Sequence, residues 1–467
     1  MLNTDIVSEC FDEKRQTFYD ISDLIWDHPE LAFKEYTAAD AHAALLEAEG
    51  FRVTRKFCDM DTCISGEFGE GGPVIAVLGE YDALPMLSQE AGAVEPRAQI
   101  HQGNGHGCGH NLLGTGALMA STAIKEWLRK SGTPGRVRYY GCPAEEGGDG
   151  KAFMVRAGAF KDVDIVMCWH PNAFTGVNRP ISLAVSHVRF SFAGRASHAS
   201  AAPHLGRSAL DAVELMNVGC NYMREHIPSS ARLHYAITDS GGPAANVVQA
   251  RATVDYVIRT RELEDLFDLI ERVKKVAEGA ALMTETSMTF KIKGGSANLI
   301  GVETLDRLMQ KHLELIGAPP FDADDIATAK TYQDTVNDEA ILTAYGRFGL
   351  TPVPGQTLSD AIVPFYGGNG DFVGSTDLGT VSWMVPTVYI RAATFAIGTP
   401  GHSWQLVAQG KLPAAHKGME HAARALANCA IDLFSHPNQI SVISDEFKGM
   451  MQGRVFRNPL PDEAEPR

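Results

Sequence analysis

The sequence has no long apolar run, no basic cluster and no cysteine framework. Each absence excludes a class of protein. A bilayer-spanning helix needs about 20 apolar residues, and the clearest apolar run, Val74 to Leu78, is only core-sized. With 41 Lys+Arg against 57 Asp+Glu the formal net charge is −16. No local cluster of Lys and Arg offsets it, so neither a nucleic acid nor a membrane is an expected partner. The eight cysteines (10, 58, 63, 108, 142, 168, 220 and 429) are scattered, as free thiols in a reducing compartment would be. Met1 to Asp5 lacks the basic region of a signal or transit peptide, so a cytoplasmic location is expected.

What remains is an ordinary globular composition, 45% hydrophobic and 21% charged, in 467 residues. That length holds two or more domains with real cores. Helices are expected over Phe11–Trp26, Ala38–Gly50, Leu112–Lys130 and Lys151–Ala157. Val74–Leu78, Val137–Cys142 and Val163–Cys168 read as strands, the first and last buried on both faces. Strands alternating with helices predict a layered α/β sheet.

The pattern changes near residue 185. His187–Phe192 and Arg251–Arg259 alternate apolar and polar residues, as strands with one open face do. With strands at Arg232–Thr238 and Ser287–Lys293 and helices at Ser208–Glu225 and Leu263–Glu278, the order is β-α-β-β-α-β, the ferredoxin-like pattern. It interrupts two α/β stretches and reads as an inserted domain, residues 185–298. Residues 1–184 and 299–467 are then one discontinuous domain, with helices at Leu305–Ile316, Glu339–Phe348 and His416–Phe434 and a strand at Val385–Ile390. The stretch 332–374 has no clear pattern beyond its one helix. The tail from Pro459 reads as frayed.

Four motifs carry chemistry. Asn104-Gly105-His106-Gly107-Cys108-Gly109-His110-Asn111 sets a thiol and two imidazoles among glycines that let the backbone bend, a donor set suited to zinc or another late divalent metal. An incidental glycine-rich loop is nearly as good a reading of that motif alone. Glu145-Glu146-Gly147-Gly148 follows a buried strand; paired carboxylates there need a cation, although a solvated pair capping the next helix would also fit. Trp169-His170-Pro171 and Gly401-His402-Ser403 each put a histidine after a strand. The carboxyl edge of an open α/β sheet is where ligands bind, and the joint pattern argues for a metal centre.

These motifs, in this order, resemble M20-family metallopeptidases, closest to the amidohydrolase branch. Gly79-Glu80-Tyr81-Asp82-Ala83-Leu84-Pro85 and Pro203-His204-Leu205-Gly206-Arg207-Ser208-Ala209-Leu210 extend the similarity over essentially the whole chain. The resemblance implies an α/β catalytic domain with an inserted ferredoxin-like lid and dimerisation domain. It implies two divalent ions, Zn²⁺ or Mn²⁺, held by Cys108 (bridging), His110, Glu146, His170 and His402. Glu145 would be the general base. His198, in Gly194-Arg195-Ala196-Ser197-His198, would assist at the active site, often a partner's. Asn246 would hold the reacting carbonyl or substrate, and Arg259 a substrate carboxylate. Asn111 stands where many branch members have Asp, and Glu80 where much of the wider family has a ligand histidine. Asp82 would orient a ligand, and His106 would be a packing histidine.

The implied reaction is metal-dependent hydrolysis of an N-acyl amino acid amide. A p-aminobenzoyl-glutamate conjugate is the first candidate; indolyl-acyl or other aryl-acyl conjugates and dipeptides are alternatives. The implied assembly is a homodimer through the lid domain, with a heteromer with a related subunit as a second possibility. Two other classes compete: a cysteine hydrolase with Cys108 activated by His110, and a non-catalytic subunit on the same fold. Taken without the resemblance, His198, Asn246 and Arg259 read as a lid histidine, turn chemistry and a surface partner of Glu262.

Overall fold

Val74 to Leu78 is buried on both faces because its strand lies inside a sheet covered on both sides. The computed structural model describes residues 3–177, 181–365 and 374–466. Its strands are β1 (Arg52–Arg55), β2 (Ile64–Glu70), β3 (Val74–Glu80), β4 (Gly135–Cys142), β5 (Ile165–Asn172), β6 (Gly176–Val177), β7 (Ala184–Ala193), β8 (Arg232–Asp239), β9 (Arg251–Thr260), β10 (Ser287–Ser296) and β11 (Thr387–Ala393). Seven form one sheet in the order β1-β2-β4-β3-β5-β11-β6. The inner strands β4, β3, β5 and β11 are parallel.

Side chains on a strand alternate between faces, and β3 divides accordingly. Ile75 and Val77 join one core with the helices Asn3–Asp27, His110–Ser131 and Pro413–Ser435. Val74, Ala76 and Leu78 join another with the helices Gly150–Ala157 and Leu378–Ser382. The chain runs from β3 to β4 on one side and later to β5 on the other, so a crevice opens at the carboxyl ends of these strands.

Two glycines bring the helix His110–Ser131 onto this edge. A Cβ at Gly114 would lie 2.5 Å from the Glu80 carbonyl oxygen, and one at Gly79 would lie 3.0 Å from the Gly114 Cα. The backbones therefore touch, and His110, one turn earlier, sits over the end of β3. The loop after β4 is also anchored. Glu35 is buried and accepts the N–H groups of Phe33 (3.0 Å) and Ala144 (2.9 Å) and the Thr62 hydroxyl (2.6 Å). Ala144 has φ +61°, a strained value for a non-glycine residue that this contact helps hold.

The second sheet is antiparallel, in the order β10-β7-β9-β8, the ferredoxin-like arrangement. Helices Ala209–Met223 and Leu263–Thr284 cover one face, where Val188, Phe190, Val254, Tyr256 and Ile258 pack. His187, Arg189, Asp255, Val257 and Arg259 lie on the other face, which no helix of this unit covers. The layered sheet and the ferredoxin-like unit both match expectation.

The tail does not. Leu460 is buried, and the Arg156 guanidinium donates to the carbonyls of Pro461, Asp462 and Ala464. Within 332–374 the helix is Asp338–Arg347; residues 366–373 lie outside the described residues. No helix among the described residues is long and apolar enough to cross a membrane.

Burial, and then the charge of Asp82, pushes the Glu35 carboxyl up to about 7 from an ordinary 4.5. Folded Glu35 thus keeps its proton where the unfolded chain has lost it. Its contribution is fully present below about pH 4.5 and is lost as the pH rises through about 7. Glu35→Gln should flatten the fall in stability across that window, measured by denaturant unfolding at several pH values. An unchanged pH profile would contradict the assignment.

Candidate metal centre

The predicted donors of the four motifs, Cys108, His110, Glu145, Glu146, His170 and His402, meet at the carboxyl edge of the larger sheet. Glycine at 109 adopts φ +75° and starts the helix, so Cys108 and His110 turn toward one point. Glu145 and Glu146 follow β4, and His170 lies near the end of β5. His402 follows β11, with its backbone N–H bonded to the Gly107 carbonyl at 2.9 Å. That bond ties the last motif to the first across nearly three hundred residues.

Two clusters share the thiol. In one, the ligand atoms of Cys108, His110 and His170 lie within 4.8 Å of one another; in the other, those of Cys108, Glu146 and His402 do. Cys108 Sγ is 3.3 Å from His170 Nε2, and His402 Nε2 is 3.4 Å from Glu146 Oε1. A third cluster, Glu80, His110 and Glu145, adjoins the first.

The ring nitrogens facing the clusters are set from behind. Asp82 contacts His110 Nδ1 through its carboxylate at 3.0 Å and its carbonyl at 3.1 Å, and its other carboxylate oxygen accepts the Glu146 N–H at 2.9 Å. His170 Nδ1 donates to the Pro171 carbonyl at 2.8 Å. Such contacts fix the tautomer that leaves Nε2 free as a ligand. Burial disfavours charge on Asp82, yet the bonds from His110 and the Glu146 N–H hold its carboxyl below the usual range. Burial, with nearby Arg391, keeps His170 well below the usual histidine range and hence neutral.

The donor set fits a metal on an observation of its own. His110 Nε2, Glu146 Oε1 and Glu80 Oε2 are buried and make no hydrogen bond, although His110 Nε2 faces Glu80 Oε2, and Glu146 Oε1 faces His402 Nε2, each at 3.4 Å. Unpartnered buried polar atoms are costly, and here they converge. Burial, followed by Glu80 and Glu146, pushes Glu145 well above the usual carboxyl range. This excess of buried negative charge is what divalent cations would compensate.

The remaining predicted residues lie on the smaller sheet. Arg259 is at the end of β9 next to the larger sheet, and no acid pairs with it among the described residues. Glu262 instead meets Arg454 at 3.7 Å and Asn298 at 3.4 Å. His198 and Asn246 come together at the opposite end: His198 bridges to Val247, and the Ala199 N–H bonds the Asn246 carbonyl at 3.0 Å. They lie roughly 25–30 Å along the strands from Arg259, and the His198 ring meets only Ser200 and Ala201 among the described residues. His106 is buried with Nε2 3.1 Å from the Ile25 carbonyl, a packing role.

Sequence reasoning missed the cation behind the site. Lys151 is fully buried and its Nζ sits 2.6 Å from Glu80 and 2.5 Å from Asp377. Asp377 also accepts the Lys151 backbone N–H at 2.9 Å. A lysine six residues beyond Glu145 was visible; its pairing with an acid 226 positions away was not.

The profile of peptidase family M20/M25/M40 matches residues 76–312. The chain is 42% identical to the p-aminobenzoyl-glutamate hydrolase subunit designated B of Escherichia coli (strain K12), over 98% of each. It is 27% identical to the Xaa-Arg dipeptidase of Mus musculus, over 97% of this chain and 93% of that one. A dinuclear metal binding peptidase from Bacillus subtilis superposes with a TM-score of 0.59 at 17% identity, covering 91% of this chain and 99% of that one. That last likeness is one of fold.

Two outcomes test the site. Cys108 should be alkylated by iodoacetamide in chelator-treated protein and protected by added Zn²⁺ or Mn²⁺, read by mass spectrometry. Half-buried Cys58 is the internal control. Equal labelling with and without metal would remove Cys108 from the ligand set. Lys151→Met should lower the unfolding free energy by about 3–5 kcal/mol, because it leaves two buried carboxylates uncompensated. A negligible change in denaturant midpoint would contradict that role.

Proposed function

Because the chain belongs to peptidase family M20/M25/M40 and is thereby a metal-dependent hydrolase, we propose that its substrate is an N-acyl amino acid, p-aminobenzoyl-glutamate first among them. The observation that carries this reading is the meeting of Cys108, His110, Glu145, Glu146, His170 and His402 at one sheet edge, with buried donor atoms left unpartnered. The choice of conjugate follows the relative at 42% identity, whose name states it.

Cys108, His110, His170, Glu146 and His402 would hold two divalent ions, Zn²⁺ or Mn²⁺, in the two clusters that share the thiol. When bound, such ions polarise the scissile carbonyl and lower the pKa of the attacking water. Glu145 takes the proton of that water and hands it to the leaving amine. His198 and Asn246 stabilise the charge that develops on the carbonyl oxygen. Arg259 takes the carboxylate of the leaving amino acid in two parallel hydrogen bonds. Residues 185–298 act as the lid and dimerisation domain, and 1–184 with 299–467 as the catalytic domain. A second polypeptide supplies His198 and Asn246. It is either another copy joined through the lid or a related chain, the latter in keeping with a relative that is named as one subunit of its enzyme. All eight cysteines are unpaired, which suits a cytoplasmic location.

Glu145→Gln provides the test. The variant should keep the metal content of the wild type, measured by mass spectrometry. Its release of p-aminobenzoate from p-aminobenzoyl-glutamate should fall about 10²–10⁴-fold. Undiminished turnover would remove Glu145 as the base. Activity that survives a chelator but not iodoacetamide would favour Cys108 as a nucleophile instead.

A further inference from the structure

The open face of the ferredoxin-like sheet carries charge of one sign next to the site. Antiparallel pairing puts Arg232 of β8 directly across from Arg259 of β9. Residues so opposed share a face with Cβ atoms about 5 Å apart, and like charges there repel. Among the described residues neither arginine has a carboxylate partner. Arg259 Nε is buried with no hydrogen-bond partner. Arg232 donates only to the backbone carbonyls of Ser229 and Ala231. The acids of this face are taken up elsewhere: Asp255 by Arg189 at 2.7 Å and Lys293 at 3.3 Å, and Asp239 by Arg251 at 2.9 Å. His187 lies diagonally across from Arg259 and is held below the usual histidine range by burial and then by Arg259 and Lys293.

This face also meets the catalytic loop. Gly294 pairs with His187, so the two share the open face. A Cβ at Gly294 would lie 2.5 Å from an oxygen of Asp149, which follows Glu145 and Glu146 on the loop after β4. The arginine pair therefore sits at the end of the lid sheet where β10, two strands from β9, meets the loop that carries Glu145 and Glu146. Two uncompensated guanidinium groups on adjacent strands match a small molecule with two carboxylates a few bonds apart.

We propose that Arg232 and Arg259 form a dicarboxylate subsite. Arg259 takes the α-carboxylate of the leaving amino acid and Arg232 its side-chain carboxylate. Arg232 is then the specificity-determining residue that selects acidic leaving residues over neutral or basic ones. The inference rests on the amidohydrolase reading above. On this reading an Xaa-Arg dipeptide, the substrate in the name of one relative, is disfavoured here, because its guanidinium would face two others.

The test compares p-aminobenzoyl-glutamate, p-aminobenzoyl-norvaline and p-aminobenzoyl-arginine on the metal-loaded full chain. Arg232→Ala should lower kcat/KM for the glutamate conjugate about tenfold or more, chiefly through KM, as loss of a charge-assisted contact does. It should leave the norvaline conjugate little changed. Arg259→Ala should lower all three. Equal losses on glutamate and norvaline conjugates, no loss on either, or a wild type that prefers norvaline or arginine would overturn the subsite. N-acetyl-glutamate and N-acetyl-norvaline repeat the comparison with another acyl group. A glutamate preference there without p-aminobenzoyl turnover would overturn the aminobenzoyl reading and keep the subsite. Calorimetry of p-aminobenzoyl-glutamate on Glu145→Gln, with and without Arg232→Ala, reads the contact without turnover. Equal affinities would overturn it.

Discussion

The rest of the site depends on an excess of buried negative charge at the carboxyl ends of β3 and β4. Glu80, Asp82, Glu145, Glu146 and Asp377 gather there, and Lys151 meets only Glu80 and Asp377. Burying carboxylates without cations is among the largest costs a fold can carry. The arrangement makes sense as a cradle built for cations, with the permanent one, Lys151, covering Glu80 and Asp377. The same charge ties separate segments together. Glu80 ends β3, Lys151 lies in the first turn of the helix after the catalytic loop, and Asp377 starts the short helix Leu378–Ser382 ahead of β11. Ions bound there would be coupled to the fold, because the Lys151 pairs join β3 to the helix that follows the Glu145-Glu146 loop.

Much of this was readable from the sequence where local pattern and burial agree. Val74–Leu78 and Val163–Cys168 read as buried strands because both faces of β3 and β5 pack against helices. The alternation in β9 announced one open face, and that face is where Arg259 lies. Other elements gave no such signal. Strand β1 is mostly exposed and four residues long, and β2 contains two glycines, so neither shows a strong period. The helix Ala323–Gln333 buries only Ala329 and Tyr332 of its apolar residues, and its start is fixed by the Asp322–Asp325 capping box.

For the site, the division follows sequence distance. Donors grouped in short motifs could be found because glycines and paired acids have few other uses together. The supporting contacts could not, since each joins segments far apart: Glu35 to Ala144, Asp82 to the Glu146 N–H, Lys151 to Asp377. A single sequence records that Glu35 is an acid, not that three donors surround it. The tail was misread for a related reason. Its polar, proline-rich composition describes a free end, but Arg156 offers donors for the carbonyls of a segment that forms no ladder of its own.

The lid sheet adds a geometric constraint on assembly. Arg259 stands at one end of β9, while His198 and Asn246 stand beyond the other end of the same strand and its neighbour β7. A hydrogen-bonded antiparallel pair of ten residues is stiff and roughly 30 Å long. A hinge at the base of the lid can swing that length but cannot shorten it. A small acyl amino acid cannot touch both ends of one such sheet. If all three residues serve one substrate, as proposed, the ends must come from different chains. The end bearing Arg259 adjoins its own catalytic loop through Gly294 and Asp149. The end bearing His198 and Asn246 is the one left to reach across.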